Sequence, residues 1–452
     1  MATDKVGLFG DVLRFSPPYF CIALLAAALF SFHWWLTFKK TGWKIDYWHY
    51  TVLMNVFIPI ILLYPFSGSI LQMAAVGLSF YQIDPWIDEA FAISLFGYGC
   101  LLLGRLTFDA MGRERAAGLI RVFFGIIETA TYRNIRSGAA SLLLAALVVP
   151  LFAAVFYIAG ASSGFKIGRY FLEEDPSFRG LYNMLTFVYP LLPMYFWLRN
   201  RARMSRMKWL LFAVLVFATL LLGTRTAIVS TVLTCYLFNA LANRGAISFT
   251  RGALLFFGII VLSLGFSAIR SGGSPADALL TLWTGVFYGN GVSDLRDFAW
   301  GLSAWNGDFW LGKTYLAGLM GFVPRVLSSF REQWAIGVVT AQLAGFLPTE
   351  HAGIRLGIFG EAYMNFGLIG VLFLGFVNGF TLRYADAEIK ERVACGRDLV
   401  FAYAATIPYQ ITSAFYISTS LSLVYTFLGV QVVALILRIC LVPISRPGYR
   451  PA

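Results

Sequence analysis

The amino-acid sequence predicts an all-α polytopic membrane protein, and three observations lead there. Of 452 residues, 59% are hydrophobic and only 13% charged, and the mean hydropathy is +0.72. Soluble domains carry roughly 45–50% apolar and about 25% charged residues, so a soluble fold would leave much apolar surface in water. The apolar residues also fall in long unbroken runs, not in the short alternating segments of an outer-membrane barrel. Finally, Lys and Arg concentrate in alternate connections, the pattern that sets orientation in a bilayer. Disorder is excluded, because it needs low hydrophobicity.

A bilayer core about 30 Å thick takes roughly 20 apolar residues per helix. About 11 spans follow, near 17–37, 50–76, 90–109, 139–160, 181–198, 209–223, 226–242, 252–269, 358–380, 399–416 and 420–442. The second is long and contains Pro59, Pro65 and a Ser-Gly-Ser break, so it reads as one tilted helix or as a span plus a half-helix. The division between the last two is the hardest to place. No internal repeat is visible by eye.

The net charge of +12 fits cytosolic Lys/Arg loops better than a nucleic-acid partner. The stretch RNRARMSRMK at 199–208 carries five basic residues and no acid. Residues 111–137 bring Arg113, Arg115, Arg121, Arg133 and Arg136 against Glu114 and Glu128, and Lys39, Lys40 and Lys44 follow the first span. These loops are assigned to the cytosol. The alternate loops 77–89, 161–180, the turn near 224 and 270–357 are then periplasmic or extracellular, with the N-terminus outside and Arg438, Arg446 and Arg450 inside. No cleavable signal peptide is read at the N-terminus. The five cysteines, Cys21, Cys100, Cys235, Cys395 and Cys440, show neither metal-ligand spacing nor a disulfide pattern.

Segment 270–357 divides the chain into 1–269, 270–357 and 358–452. It holds six Lys/Arg, six Asp/Glu and Trp283, Trp300, Trp305, Trp310 and Trp334. Its amphipathic pieces, such as 275–289 and 311–335, predict short interfacial helices forming a lid over a cavity.

Three arginines lie at outer span ends: Arg225 in Gly223-Thr224-Arg225-Thr226, Arg270 in Ile269-Arg270-Ser271-Gly272-Gly273, and Arg355 in His351-Ala352-Gly353-Ile354-Arg355-Leu356-Gly357. Guanidinium is always charged, and its planar fork of donors suits phosphate. Snorkelling at helix ends is the alternative, but neighbouring glycines would let backbone approach a ligand closely. Segment 349–370 adds Glu361 and Asn365, one helical turn apart within a span, where a carboxylate faces a cavity or a partner. His351 is the only histidine on the outer side and could take a proton from an attacking hydroxyl. It could equally be a solvated loop residue, and Glu361 could be a structural partner to an arginine. Arg325, and Arg169 within the charged loop Lys166–Arg179, complete the candidate diphosphate and glycan contacts. There is no Walker A sequence, no HExxH and no Cys/His cluster. Any glycosyl donor should therefore be lipid-linked, since no nucleotide-sugar domain is visible.

With its many spans, one long outer loop in the C-terminal half, the Gly-Thr-Arg turn at 223–225 and the run from His351 to Gly370, the sequence resembles the Wzy-type O-antigen and oligosaccharide repeat-unit polymerases. O-antigen ligases look similar, and a lipid-linked sugar flippase is a third reading. The resemblance implies a GT-C-like, metal-independent glycosyltransferase without cofactors, and the bacterial inner membrane as its location. Its donor would be a growing glycan on undecaprenyl diphosphate, and its acceptor a new undecaprenyl-diphosphate-linked repeat unit. A Wzx flippase and a Wzz chain-length regulator are implied partners. On this reading Arg225, Arg270 and Arg355 hold the diphosphate, and His351 (or Glu361 or Glu350) is the base.

Overall fold

The computed structural model describes residues 16–62, 64, 80–136, 139–159, 182, 185–186, 189–201, 204–221, 225–243, 250, 252, 254, 257–258, 294–323, 327–347, 353–396, 398–421, 424, 428–429 and 431–432. Among these, every regular element is helical. In chain order they are α1 (Pro17–Thr41), α2 (Tyr47–Val52) running into a π-helical turn (Leu53–Leu62), α3 (Phe80–Met111), α4 (Arg113–Arg136), α5 (Ala139–Ala159), α6 (Leu191–Asn200), α7 (Arg206–Leu221) and α8 (Arg225–Ala242). Then come α9 (Asp294–Ala304), α10 (Lys313–Leu319), α11 (Ser329–Trp334), α12 (Ile336–Leu343), α13 (Gly357–Ala394), α14 (Leu399–Ala404) and α15 (Ile407–Ser413). Among the described residues, three helices are long and apolar enough to cross a membrane: Pro17–Thr41, Ile83–Met111 and Gly357–Ala394. The chain is therefore an α-helical, membrane-associated protein.

Local chemistry explains the boundaries. Ser16 and Pro17 open α1, Lys39 and Lys40 sit in its last turn, and Gly42 at φ 72° closes it by donating its N–H to the Phe38 carbonyl. The Asp46 carboxylate caps α2 by accepting from the His49 N–H. Pro59 lacks an N–H to donate, and the helix around it widens to π geometry. Residues 111–137, read as a loop, form the 24-residue helix α4. The expected span 399–416 is broken at Ala405–Thr406, where Pro408 cannot donate to the Ala404 carbonyl.

The expected span 358–380 is the start of α13, which is not straight. Gly367, at φ 63° and ψ −152°, breaks it. A Cβ built on Gly370 would lie 2.5 Å from the Ala362 carbonyl oxygen. Eight residues apart in one helix, these groups would be separated by about 12 Å, so the chain folds back at Gly367 into a short and a long arm. The long arm runs parallel to α3. A side chain at Gly379 would strike the Leu101 carbonyl, one at Gly104 the Phe376 carbonyl, and one at Gly375 would come within 2.8 Å of the Gly97 carbonyl. Gly375 and Gly379 form a GxxxG stripe that lets the two backbones touch.

The chain divides into two compact units. The first combines residues 1–120, 239–390 and 408–421. A charged network at the C-terminal end of α3 ties α1, α2, α3 and α13 together. Arg383 donates to Asp109 at 2.8 Å and to Asp386 at 2.9 Å, while Lys390 donates to Asp386 at 2.8 Å and Asp46 at 3.2 Å. His49 Nδ1 lies 2.7 Å from Asp46 Oδ1 and its Nε2 lies 2.9 Å from His33 Nδ1. Arg105 stacks 4.2 Å over Trp48. Burial alone would raise the Asp46 carboxyl, but the His49 hydrogen bonds and the Lys390 charge hold it far below the usual carboxylate range.

The second unit combines 121–238, 391–407 and 422–452. Its core holds Val148 and Val155 of α5 with Tyr182, Leu185 and Tyr189. Arg392 lies 4.3 Å over the Tyr132 ring, which stacks on Phe401, and Asn134 donates to Gln431 at 2.7 Å.

Candidate functional site

The described part of segment 270–357 forms four short α-helices and a 3-10 turn (Met320–Phe322), but α9 is core and not lid. Leu295 to Leu302 are all buried, including the paired Arg296 and Asp297 at 2.9 Å. Trp300 and Trp310 are buried as well, so neither ring is open to a sugar. Lys313 covers Trp334 at 4.3 Å, and Trp305 packs on Phe309 and Tyr363.

Residues 353–357 run over the start of α9. Gly353, at φ 92°, lies flush on α12, where a Cβ would strike Thr340 Oγ1 and sit 2.5 Å from the Gly337 carbonyl. Gly357, at φ 66°, crosses α9 with its Cβ position 3.6 Å from the Asp294 carbonyl. Both positions suit glycine alone. Between them Ile354 and Leu356 turn inward and Arg355 outward, as alternation in an extended chain requires. The Arg355 side chain is 44% exposed, and its Nε lies 3.5 Å from Asp294 Oδ1. Asp294 is the only ion-pair partner of Arg355 among the described residues. Burial pushes the Asp294 carboxyl up; Arg355 and Arg296 oppose that rise and Asp297 adds to it.

Beside Asp294 lies a cavity of about 10 Å³, lined also by Asn55, Ser94, Phe298 and Gly357. That is room for one water. Its level along α3 can be read from the sequence. Residues 90–104 are uncharged, bounded by Glu89 on one side and Arg105 on the other. Ser94 is five residues past Glu89, about 7.5 Å along the helix. The Asp294–Arg355 pair thus lies toward the Glu89 end of that apolar run, and the Asp46–Lys390 network marks the Arg105 end.

Glu361 and Asn365, one turn apart, share a face in the short arm of α13. Glu361 is 1% exposed. Its Oε1 accepts from Thr314 Oγ1 at 2.7 Å and its Oε2 from the Ser418 N–H at 2.8 Å. Asn365 donates to Thr314 Oγ1 at 2.8 Å and to the Glu361 carbonyl at 2.9 Å, and accepts from the Gly312 N–H at 2.8 Å. The break at Gly367 frees the carbonyls of Met364 and Asn365, which accept from the N–H groups of Trp310 and Leu311 at 3.0 and 3.1 Å. Every one of these groups is satisfied within the protein. The pair therefore fastens 310–314 and Ser418 to the helix that carries Arg355 at its entrance.

Of the eight residues singled out from the sequence, the structure brings Arg355, Glu361 and Asn365 into one segment. Arg225 opens α8, and its side chain lies outside the described residues. His351, Arg270, Arg325 and Arg169 lie outside them too, as do Glu350 and the rest of loop 161–180. The partners missed from sequence are Asp294, Thr314 and Ser418. Among the described residues no group of His, Cys, Asp and Glu could hold a metal ion. No family model matches the chain, and neither a curated protein nor a solved structure does.

Proposed function

We propose that the protein is an inner-membrane polysaccharide polymerase of the Wzy type, moving a growing glycan from undecaprenyl diphosphate onto a lipid-linked repeat unit at the periplasmic face. The observation that carries this reading is Arg355: a half-exposed guanidinium with a single carboxylate partner, held by two glycines at the charged edge of an apolar helix. A lipid diphosphate has its headgroup at that depth and its tail in the apolar layer. Arg225 and Arg270, which the sequence places at the ends of their own expected spans, complete the grip. The acceptor hydroxyl oxygen forms a bond to the anomeric carbon of the donor, and the bond from that carbon to the diphosphate oxygen breaks. The hydroxyl proton passes to His351, and the departing diphosphate charge is met by the arginines. Asp294 orients Arg355. Glu361 and Asn365 are positioning residues that hold the segment carrying it.

The test is ladder formation by purified full-length protein given lipid-linked repeat units alone, where a ligase or a flippase makes no ladder. Arg225→Ala, Arg270→Ala and Arg355→Ala should each lower turnover by about a hundredfold or more at normal expression. Arg→Lys should fail wherever the bidentate fork is used. Full-length ladders from Arg225→Ala and Arg270→Ala would remove the proposal, and near-normal turnover in His351→Ala would remove the base.

A further inference from the structure

Helix α4 has three faces from Arg121 onward. One is fastened to the second unit through Asn134, Tyr132 and the buried Glu128 and Ile135. A second is apolar yet bare: Val122 is 78%, Phe123 72% and Ile126 88% exposed. These positions fall within one turn of each other on one side of the helix. Arg133, seven residues beyond Ile126, extends the same side, and Arg121 and Arg136 form the adjoining edge. All three arginines are exposed, and among the described residues none makes an ion pair. Water is the wrong neighbour for the apolar side, and hydrocarbon is the wrong one for the arginines. An in-plane helix at a membrane boundary satisfies both, with Arg133 reaching from the apolar side to the headgroups along its aliphatic stem. Chain continuity agrees, since α4 follows α3 after Gly112 alone and precedes the apolar α5 by two residues.

We infer that α4 is an anionic-phospholipid binding surface, with Val122, Phe123 and Ile126 seated among acyl chains and Arg121, Arg133 and Arg136 on headgroup phosphates. The occupant is fixed by charge: three free guanidinium groups border the patch, and the one carboxylate on this stretch, Glu128, is turned inward. This surface does not depend on the polymerase reading.

The experiment uses full-length protein with a fluorescent coumarin amino acid in place of Ile126, reconstituted in mixed phosphatidylcholine and phosphatidylglycerol vesicles. Bromine is carried by one lipid or the other. Bromo-phosphatidylglycerol should quench at least about twofold more, per mole, than bromo-phosphatidylcholine. Arg121→Gln, Arg133→Gln and Arg136→Gln combined should abolish that preference while both lipids still quench. Equal quenching in the parent protein would overturn the inference, as would the absence of quenching, which would mean water or a second protein copy covers the face. A preference that survives the triple substitution would overturn the role of these arginines. The parent comparison alone decides if the triple variant does not fold.

Discussion

A buried carboxylate inside an apolar helix is costly unless every lone pair it exposes is met, and Glu361 is met by groups 47 and 57 residues away in sequence. Asn365 matters as much, because three hydrogen bonds converge on it. Asn365→Ala strands the Gly312 N–H and opens a void in one step. It should lower stability by about 2–3 kcal/mol, read as a drop in detergent melting temperature. An unchanged melting temperature would show that the network does not fasten the segment. The i, i+4 spacing of Glu361 and Asn365 made their shared face legible from sequence, as did the glycines flanking Arg355. Thr314, Ser418 and Asp294 were not legible. Hydroxyls and single acids carry no local pattern that says which distant helix they will meet.

At the scale of elements, the apolar runs expected at 17–37, 90–109 and 358–380 fall in the three long apolar helices among the described residues, but the interruptions were not legible. The GxxxG stripe at 375–379 was present in the sequence as a signal for close approach to another helix, although nothing local says that the other helix is α3. The fold-back at Gly367 was not readable, because glycine within an apolar run is equally common in straight membrane helices. The cap of α2 is a different case. Asp46 closes that helix and is also bonded from α13 through Lys390, so its ionised form is favoured in the fold. A carboxyl held below its unfolded value contributes stability above about pH 4, and that contribution is lost as pH falls through the folded value. Asp46→Asn should therefore melt below the parent at pH 7, and the gap should narrow below about pH 4. A gap independent of pH would assign the effect to packing alone.

For the whole molecule, the two ends of α3 carry different chemistry: a sparse acid–arginine pair at one end and a dense, neutralised ion network at the other. In the orientation expected from the distribution of Lys and Arg, the dense end faces the cytosol. An epitope inserted after the exposed Gly307 should be reached by antibody on intact spheroplasts, and one after the exposed Gly396 only once they are permeabilised. Gly396 reached on intact spheroplasts and Gly307 only after permeabilisation would reverse the orientation and with it the proposed periplasmic chemistry, and both reached from one side would overturn the assignment of the two ends to opposite faces. The interruption at Gly367 has one more consequence. Because 310 and 311 dock onto carbonyls that a continuous helix would have used itself, and Gly312 onto the Asn365 side-chain oxygen beside them, this stretch behaves like the tongue of a buckle. It cannot work loose one amide at a time without leaving an orphan acceptor in a greasy surround, so release of the loop and bending of the hairpin tip must be a single concerted event.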